Sequence, residues 1–212
     1  MAKKRETDKS SSKKRLKKSA FEWGGILAVI GILYITGWHT EVIGTMQRAL
    51  LWTGIFDAET TEIEKVAGPD LRSSDYDFTL AQLDGEELRL GKYKGKVLFI
   101  NFWASWCPPC VAEMPTIENL YGEVGDHEDI RFLLISLDEN HQKARNFMER
   151  KDFPMPYMFP VSGFPGVFEH QYIPTTFIVS KEGQIVYKRE GIADYSSERF
   201  KEWMLNLAND KR

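Results

Sequence analysis

Two cysteines are all that this 212-residue chain contains, and that scarcity excludes much. A zinc site wants about four ligands, commonly from a second C-x-x-C or an H-x₃₋₅-H pair. There is no third cysteine, and His39, His127, His141 and His170 are scattered singly. No metal or other cofactor is therefore expected. The two cysteines are only three positions apart, and a structural disulfide across so short a loop removes little chain entropy. Internal repeats are absent, and low complexity is confined to a Lys/Ser-rich start. Charge is absent from Trp23 to Trp38, and no A-x-A-like triplet follows that segment.

What is present is Trp106-Cys107-Pro108-Pro109-Cys110, directly after the apolar run from Lys96 to Trp103. The run is β-branched or aromatic at most positions and reads as a buried strand, and Val111 to Val124 reads as a helix. Cys107 then falls at a helix N-terminus, where free N–H groups and the positive end of the dipole favour a thiolate. One turn on, Cys110 can attack a mixed disulfide on Cys107 and release the substrate. The pair reads as a redox-active dithiol.

The segment Asn101-Phe102-Trp103-Ala104-Ser105-Trp106-Cys107-Pro108-Pro109-Cys110-Val111-Ala112-Glu113-Met114-Pro115 resembles the active-site segment of the TlpA/ResA-like thiol–disulfide oxidoreductases of the thioredoxin superfamily. The resemblance extends over roughly residues 70–210, through Phe78-Thr79-Leu80, Asp84-Gly85, Gly95-Lys96, and Tyr172-Ile173-Pro174-Thr175-Thr176. It implies a thioredoxin-like α/β fold with a mixed central sheet flanked by helices. It also implies that Pro174 is a cis-proline facing the dithiol, with Ile173 beside it on the substrate rim. Trp106, Pro108 and Pro109 complete that expected rim. By itself, a proline before a β-rich run reads as a trans residue at a strand start.

Thioredoxins proper carry a buried aspartate near the cysteines where this chain has Asn101, which cannot act as a base. By analogy with ResA-like proteins that role is assigned to Glu113, three residues after Cys110 and neighbouring it on one helix face. A solvated helix glutamate is the competing reading. Pro115 should kink the helix. Pro108 and Pro109 remove two amide donors from the neighbourhood of the Cys107 sulfur, and no basic residue lies between the cysteines. Less thiolate stabilisation makes a weaker oxidant, which favours a protein-disulfide reductase.

Residues 1–18 hold nine Lys/Arg against Glu6 and Asp8, a net of +7 in a chain whose overall charge is −3. The uncharged stretch that follows, with its flanks, nearly spans a hydrocarbon core of about 30 Å at about 1.5 Å per residue. Trp23 and Trp38 would mark the interfaces. The expected organisation is a basic cytoplasmic tail (1–20), a transmembrane helix (21–38), an amphipathic segment and acidic linker (39–75), and the thioredoxin-like domain (76–212). The positive-inside rule keeps the tail in the cytoplasm and places the domain outside, in a periplasmic or extracytoplasmic compartment. A buried core helix or a basic nucleic-acid-binding tail are the alternatives, and no nucleic-acid partner is expected. Residues 41–56 read equally as a helix on the membrane surface or one packed on the domain.

Within the domain the pattern predicts strands at Ile130–Leu137, Thr175–Val179 and Gln184–Lys188, and helices at His141–Lys151 and Ser196–Ala208. The Pro- and aromatic-rich stretch from Phe153 to Pro165 is too irregular for a helix interior and reads as part core cover, part apolar rim. The expected function is reduction of cysteine-containing protein substrates, such as apocytochrome c or copper-site cysteines of an oxidase. A membrane electron-donor protein would re-reduce the dithiol. Two competitors are a peroxiredoxin-like peroxidase and a redox-inactive membrane-tethered binding module. The peroxidase requires Thr where Ala104 precedes Cys107. Retention of the dithiol beside Glu113 and Ile173-Pro174 argues against the binding module.

Overall fold

The computed structural model describes residues 68–210 and, ahead of them, Leu27 and Gly31, both helical. The basic tail, nearly all of the expected anchor and the 41–56 segment lie outside the described residues. Among the described residues no helix is long and apolar enough to cross a membrane.

From Gly68 onward the chain builds seven strands and three α-helices: β1 (Thr79–Ala81), β2 (Glu87–Arg89), β3 (Val97–Trp103), α1 (Pro108–Val124), β4 (Ile130–Ser136), α2 (His141–Lys151), β5 (Tyr157–Pro160), β6 (Thr175–Val179), β7 (Ile185–Glu190) and α3 (Glu198–Asn209). The sheet order is β2-β1-β5-β4-β3-β6-β7. Strands β3, β4 and β5 run parallel, and β6 and β7 add antiparallel neighbours on the other side of β3. The sheet is mixed, as expected.

Strand β3 is central and buried at all seven residues, so its sequence shows an apolar run rather than an alternation. The alternation exists in three dimensions. Val97, Phe99 and Trp103 join one core with Val111, Met114, Ile117 and Leu120 of α1, Ala144 and Phe147 of α2, and Phe200 and Met204 of α3. Leu98, Ile100 and Phe102 join a second core with Leu71, Phe78, Leu90 and Phe168, which come from 3₁₀ turns and connecting segments. All three α-helices therefore contribute to one core. The remaining odd-numbered β3 residue is Asn101, fully buried beneath α1.

Strand β5 arises in the stretch whose prolines suggested irregular chain. Its position beside β1, with the pairs Leu80↔Pro160 and Ala81↔Phe159, and beside β4 supplies the pairing that local sequence does not show. Residues 68–71, within the expected linker, are tied to β7 and its turn. Gly68 N donates to Ile185 O at 2.9 Å, Asp70 bridges Gln184, and Leu71 N donates to Gly183 O at 2.8 Å. Their acidic, Gly-Pro composition resembles a linker because each contact is supplied by β7 and its turn. Gly183 sits there at φ +90°, which a Cβ disfavours, and a Cβ would also meet the Tyr76 hydroxyl at 2.5 Å.

Candidate active site

Cys107 is the N-cap of α1. Pro108 and Pro109 take its first two positions, where a missing N–H costs nothing. The third amide does what the prolines cannot: Cys110 N donates to Cys107 Sγ at 3.2 Å. The sulfur thus occupies the place of a capping oxygen, at the positive end of a helix of 17 residues. The two cysteines form a disulfide, with Cα atoms 5.3 Å apart. Both are buried, Cys107 with 4% of its surface exposed and Cys110 with none. The attackable edge is therefore a small opening over Cys107.

That opening is framed by the chain before β6. The Ile173–Pro174 peptide is cis, as the resemblance implies, and Ile173 O lies 3.7 Å from Cys107 Sγ. In the reduced protein this carbonyl is placed to accept the thiol proton. Thr175 Oγ1 donates to Tyr172 O at 2.5 Å and Gly191 N to Pro174 O at 2.8 Å, fixing the turn from both sides. Trp106 and Tyr172 stand 56% and 68% exposed, and Pro108, Pro109 and Ile173 are half-buried.

Glu113 does not face water. It is fully buried, accepting from Asn101 Nδ2 at Oε1 (2.8 Å) and from Ala193 N at Oε2 (3.2 Å). Burial raises its carboxyl to about 8, against the pull of the Asn101 and Ala193 donors and the Arg189 charge. The β-register explains the setting. Asn101 lies opposite Thr176, and Thr176 lies opposite Arg189, so a polar row crosses three strands beneath α1. Thr176 Oγ1 accepts from Asn101 Nδ2 at 2.9 Å. Thr116 Oγ1 donates to Glu113 O and accepts from Tyr195 N. Tyr195 is buried and its phenol is pushed well up by that burial. Pro115 lies inside α1, which continues unbroken to Val124.

One further carboxylate shapes the site. Asp138, after β4, is buried and accepts from Ser105 N (2.8 Å), Ser105 Oγ (2.7 Å) and Ser136 Oγ (3.0 Å). It pins the segment that delivers Trp106 and Cys107 to the rim. The only local signal for it is Ser-x-Asp at 136–138, a common turn pattern. Ala193, Arg189 and Tyr195 gave no sequence signal either, and Thr176 none beyond its place in the 172–176 segment, because cross-strand register and a loop contact bring them in. Among the described residues no cluster of His, Cys, Asp or Glu could hold a metal ion.

A helix-capping dithiol under a cis-proline is the geometry of thiol–disulfide exchange, and comparison with known proteins agrees. The family model described as Redoxin matches residues 68–199. The chain belongs to the Redoxin family. Within it, the chain is 30% identical over 140 residues to the thiol-disulfide oxidoreductase ResA of Bacillus cereus (strain ZK / E33L), covering 65% of this chain and 76% of that one. The crystal structure of StoA from Bacillus subtilis superposes with a TM-score of 0.50 at 25% identity, covering 59% of this chain and 94% of that one. A thiol:disulfide interchange protein of Chlorobium tepidum TLS shares the fold, with a TM-score of 0.53 at 24% identity over 65% of this chain and 99% of that one. This Redoxin-family protein is a ResA-like thiol–disulfide oxidoreductase, with Cys107 and Cys110 as its redox pair.

Proposed function

We propose that the protein is a membrane-anchored, extracytoplasmic reductase of protein disulfides. The observation that carries the direction of transfer is the cap on Cys107. Two of the three first-turn positions are prolines, so one amide alone, that of Cys110, reaches the sulfur. A thiolate held by fewer donors is a better electron donor and a weaker oxidant.

In the cycle, the Cys107 thiolate attacks a substrate disulfide, forming a Cys107–substrate bond and expelling one substrate thiolate. Cys110 then loses its proton and attacks Cys107 Sγ, forming the Cys107–Cys110 disulfide and expelling the second thiolate. Two electrons pass to the substrate. Glu113 takes the Cys110 proton, and its raised affinity for protons while the dithiol is oxidised fits that moment in the cycle. Trp106, Pro108, Pro109, Ile173 and Pro174 form the docking rim. Substrates are protein cysteines or disulfides, those of c-type cytochrome or copper-oxidase maturation being suitable. A membrane protein resupplies electrons, because the dithiol lies beyond cytosolic reductants. The basic start followed by sixteen uncharged residues supports the anchor and its orientation.

Two experiments test this reading. The full-length reduced chain should reduce insulin disulfides; Cys107→Ser should abolish turnover and Cys110→Ser should accumulate mixed disulfides. Adducts on Cys107→Ser instead would reverse the nucleophile assignment. Alkaline phosphatase fused after residue 56 should be active. An inactive fusion, with an active cytoplasmic reporter at the same junction, would refute the anchor.

A further inference from the structure

The Asn101 amide is satisfied on one side only. Its Nδ2 uses both hydrogens, on Glu113 Oε1 at 2.8 Å and on Thr176 Oγ1 at 2.9 Å. Its Oδ1, equally buried, has no partner. An orphaned buried acceptor has given up water for nothing, which is costly, and natural proteins keep few of them.

The donors around Glu113 suit its ionised form, each oxygen receiving one N–H. They do not suit the acid. A carboxylic acid must donate its proton, and on Oε2 that proton would meet the Ala193 N–H, which can only donate. The proton therefore belongs on Oε1, where it meets the Asn101 amino group. A half-turn about the last side-chain bond exchanges Nδ2 and Oδ1 without moving the backbone, the two ends being nearly the same size. Oδ1 then accepts from Glu113 Oε1–H and from the Thr176 hydroxyl, while the amino group becomes the unpaired end.

We propose that Asn101 is a two-position positioning residue that turns over with the protonation of Glu113, presenting its amino group to the carboxylate and its carbonyl to the acid. Each orientation leaves one end of the amide unpaired, so neither protonation state is left without a matching partner. That is what a buried carboxyl needs if it must both take and return a proton beside a dithiol. An aspartate at 101 would bring a second negative charge, and an apolar residue would support neither form. The inference deepens the proposed role of Glu113 and rests on it. The other groups around Glu113 are Thr116 of its own helix, Arg189 of β7, and Ala193 and Tyr195 of the loop after β7, and Cys110 stands one turn earlier on the same helix. Burial pushes the Tyr195 phenol well up and keeps it neutral.

The test is nuclear magnetic resonance of the full-length oxidised chain, labelled with ¹³Cδ-glutamate and ¹⁵N-asparagine, from pH 5 to 10. The Asn101 side-chain amide should shift with the same midpoint as the Glu113 carboxyl. Its contacts to the Thr176 side chain, strong at alkaline pH, should be lost at the acid end. In Glu113→Gln, whose amide mimics the acid by donating from Nε2, those contacts should be absent at every pH. Asn101→Leu should raise the Glu113 midpoint by about one pH unit through loss of a donor. Persistence of the Asn101–Thr176 contacts across a Glu113 titration overturns the switch, and so does a Glu113 that never titrates in this range. Cysteine alkylation profiles that superimpose for wild type and Glu113→Gln, with the amide still turning, would leave the switch standing and remove the proton relay.

Discussion

Replacing Glu113 by Gln should make this protein less sensitive to alkali, and the size of the effect follows from its burial. The carboxyl rises from an ordinary value of 4.5 to about 8, chiefly because burial strips it of water. Between those values the folded chain holds a proton that the unfolded chain releases, so stability falls as pH rises through 4.5 to 8 and levels off above. At about 1.4 kcal/mol per unit, the loss is about 5 kcal/mol across the window. That is comparable to the whole stability of a small domain. A glutamine side chain fills the same volume, stays neutral and carries no such dependence. Urea unfolding of the full-length oxidised chain should therefore give two curves of stability against pH. They diverge by about 5 kcal/mol between about pH 4 and 9, the variant being the more stable at the alkaline end. Parallel curves would refute the reasoning, since they would mean that Glu113 titrates alike in both states.

The same variant should lower the pH at which reduced Cys107 is alkylated by iodoacetamide, because a like charge beside the dithiol is removed; it should also slow the exchange step, measured by stopped-flow reduction of a model disulfide. Asp138→Ala strips an acceptor from Ser105 N and two hydroxyls. It should cost about 3 kcal/mol of stability in urea titrations and broaden the Trp106 fluorescence response to substrate. Asp129 is held down to about 2 by hydrogen bonds from Lys96 and then Lys181. Its contribution is present above about pH 4 and lost toward about pH 2, so Asp129→Asn should unfold more readily at about pH 6 and match wild type at about pH 2. Thr176→Val leaves one Asn101 hydrogen without an acceptor and should lower stability by about 1–2 kcal/mol, read from the urea midpoint.

The dithiol, its strand and its helix were legible because their signals are local. Seven consecutive residues, all apolar or aromatic except Asn101, then C-P-P-C, then helical spacing, specify strand, cap and helix from neighbours in sequence. Strands β4, β6 and β7 and helices α2 and α3 were legible for the same reason, β6 and α2 with the expected ends and the others with ends shifted by a residue or two. The cis form at Pro174 was legible only through resemblance, since local preference favours trans. Strand β5 was not legible, because its prolines deny a strand until β1 and β4 provide pairing.

The environment of Glu113 belonged wholly to the tertiary structure. From sequence, a glutamate one turn after Cys110 is equally a surface residue. Three facts of long range remove it from water and supply its partners. The odd-numbered face of β3 turns Asn101 toward α1; the antiparallel register sets Thr176 and Arg189 in the same row; and the loop after β7 closes over the carboxylate with Ala193 and Tyr195. Reactive chemistry was thus written in adjacent residues, whose spacing fixes a helix cap. The proton affinity of the buried carboxyl was decided by residues up to 80 positions away, because desolvation and hydrogen bonding depend on which groups the fold brings together and not on which stand side by side in the chain.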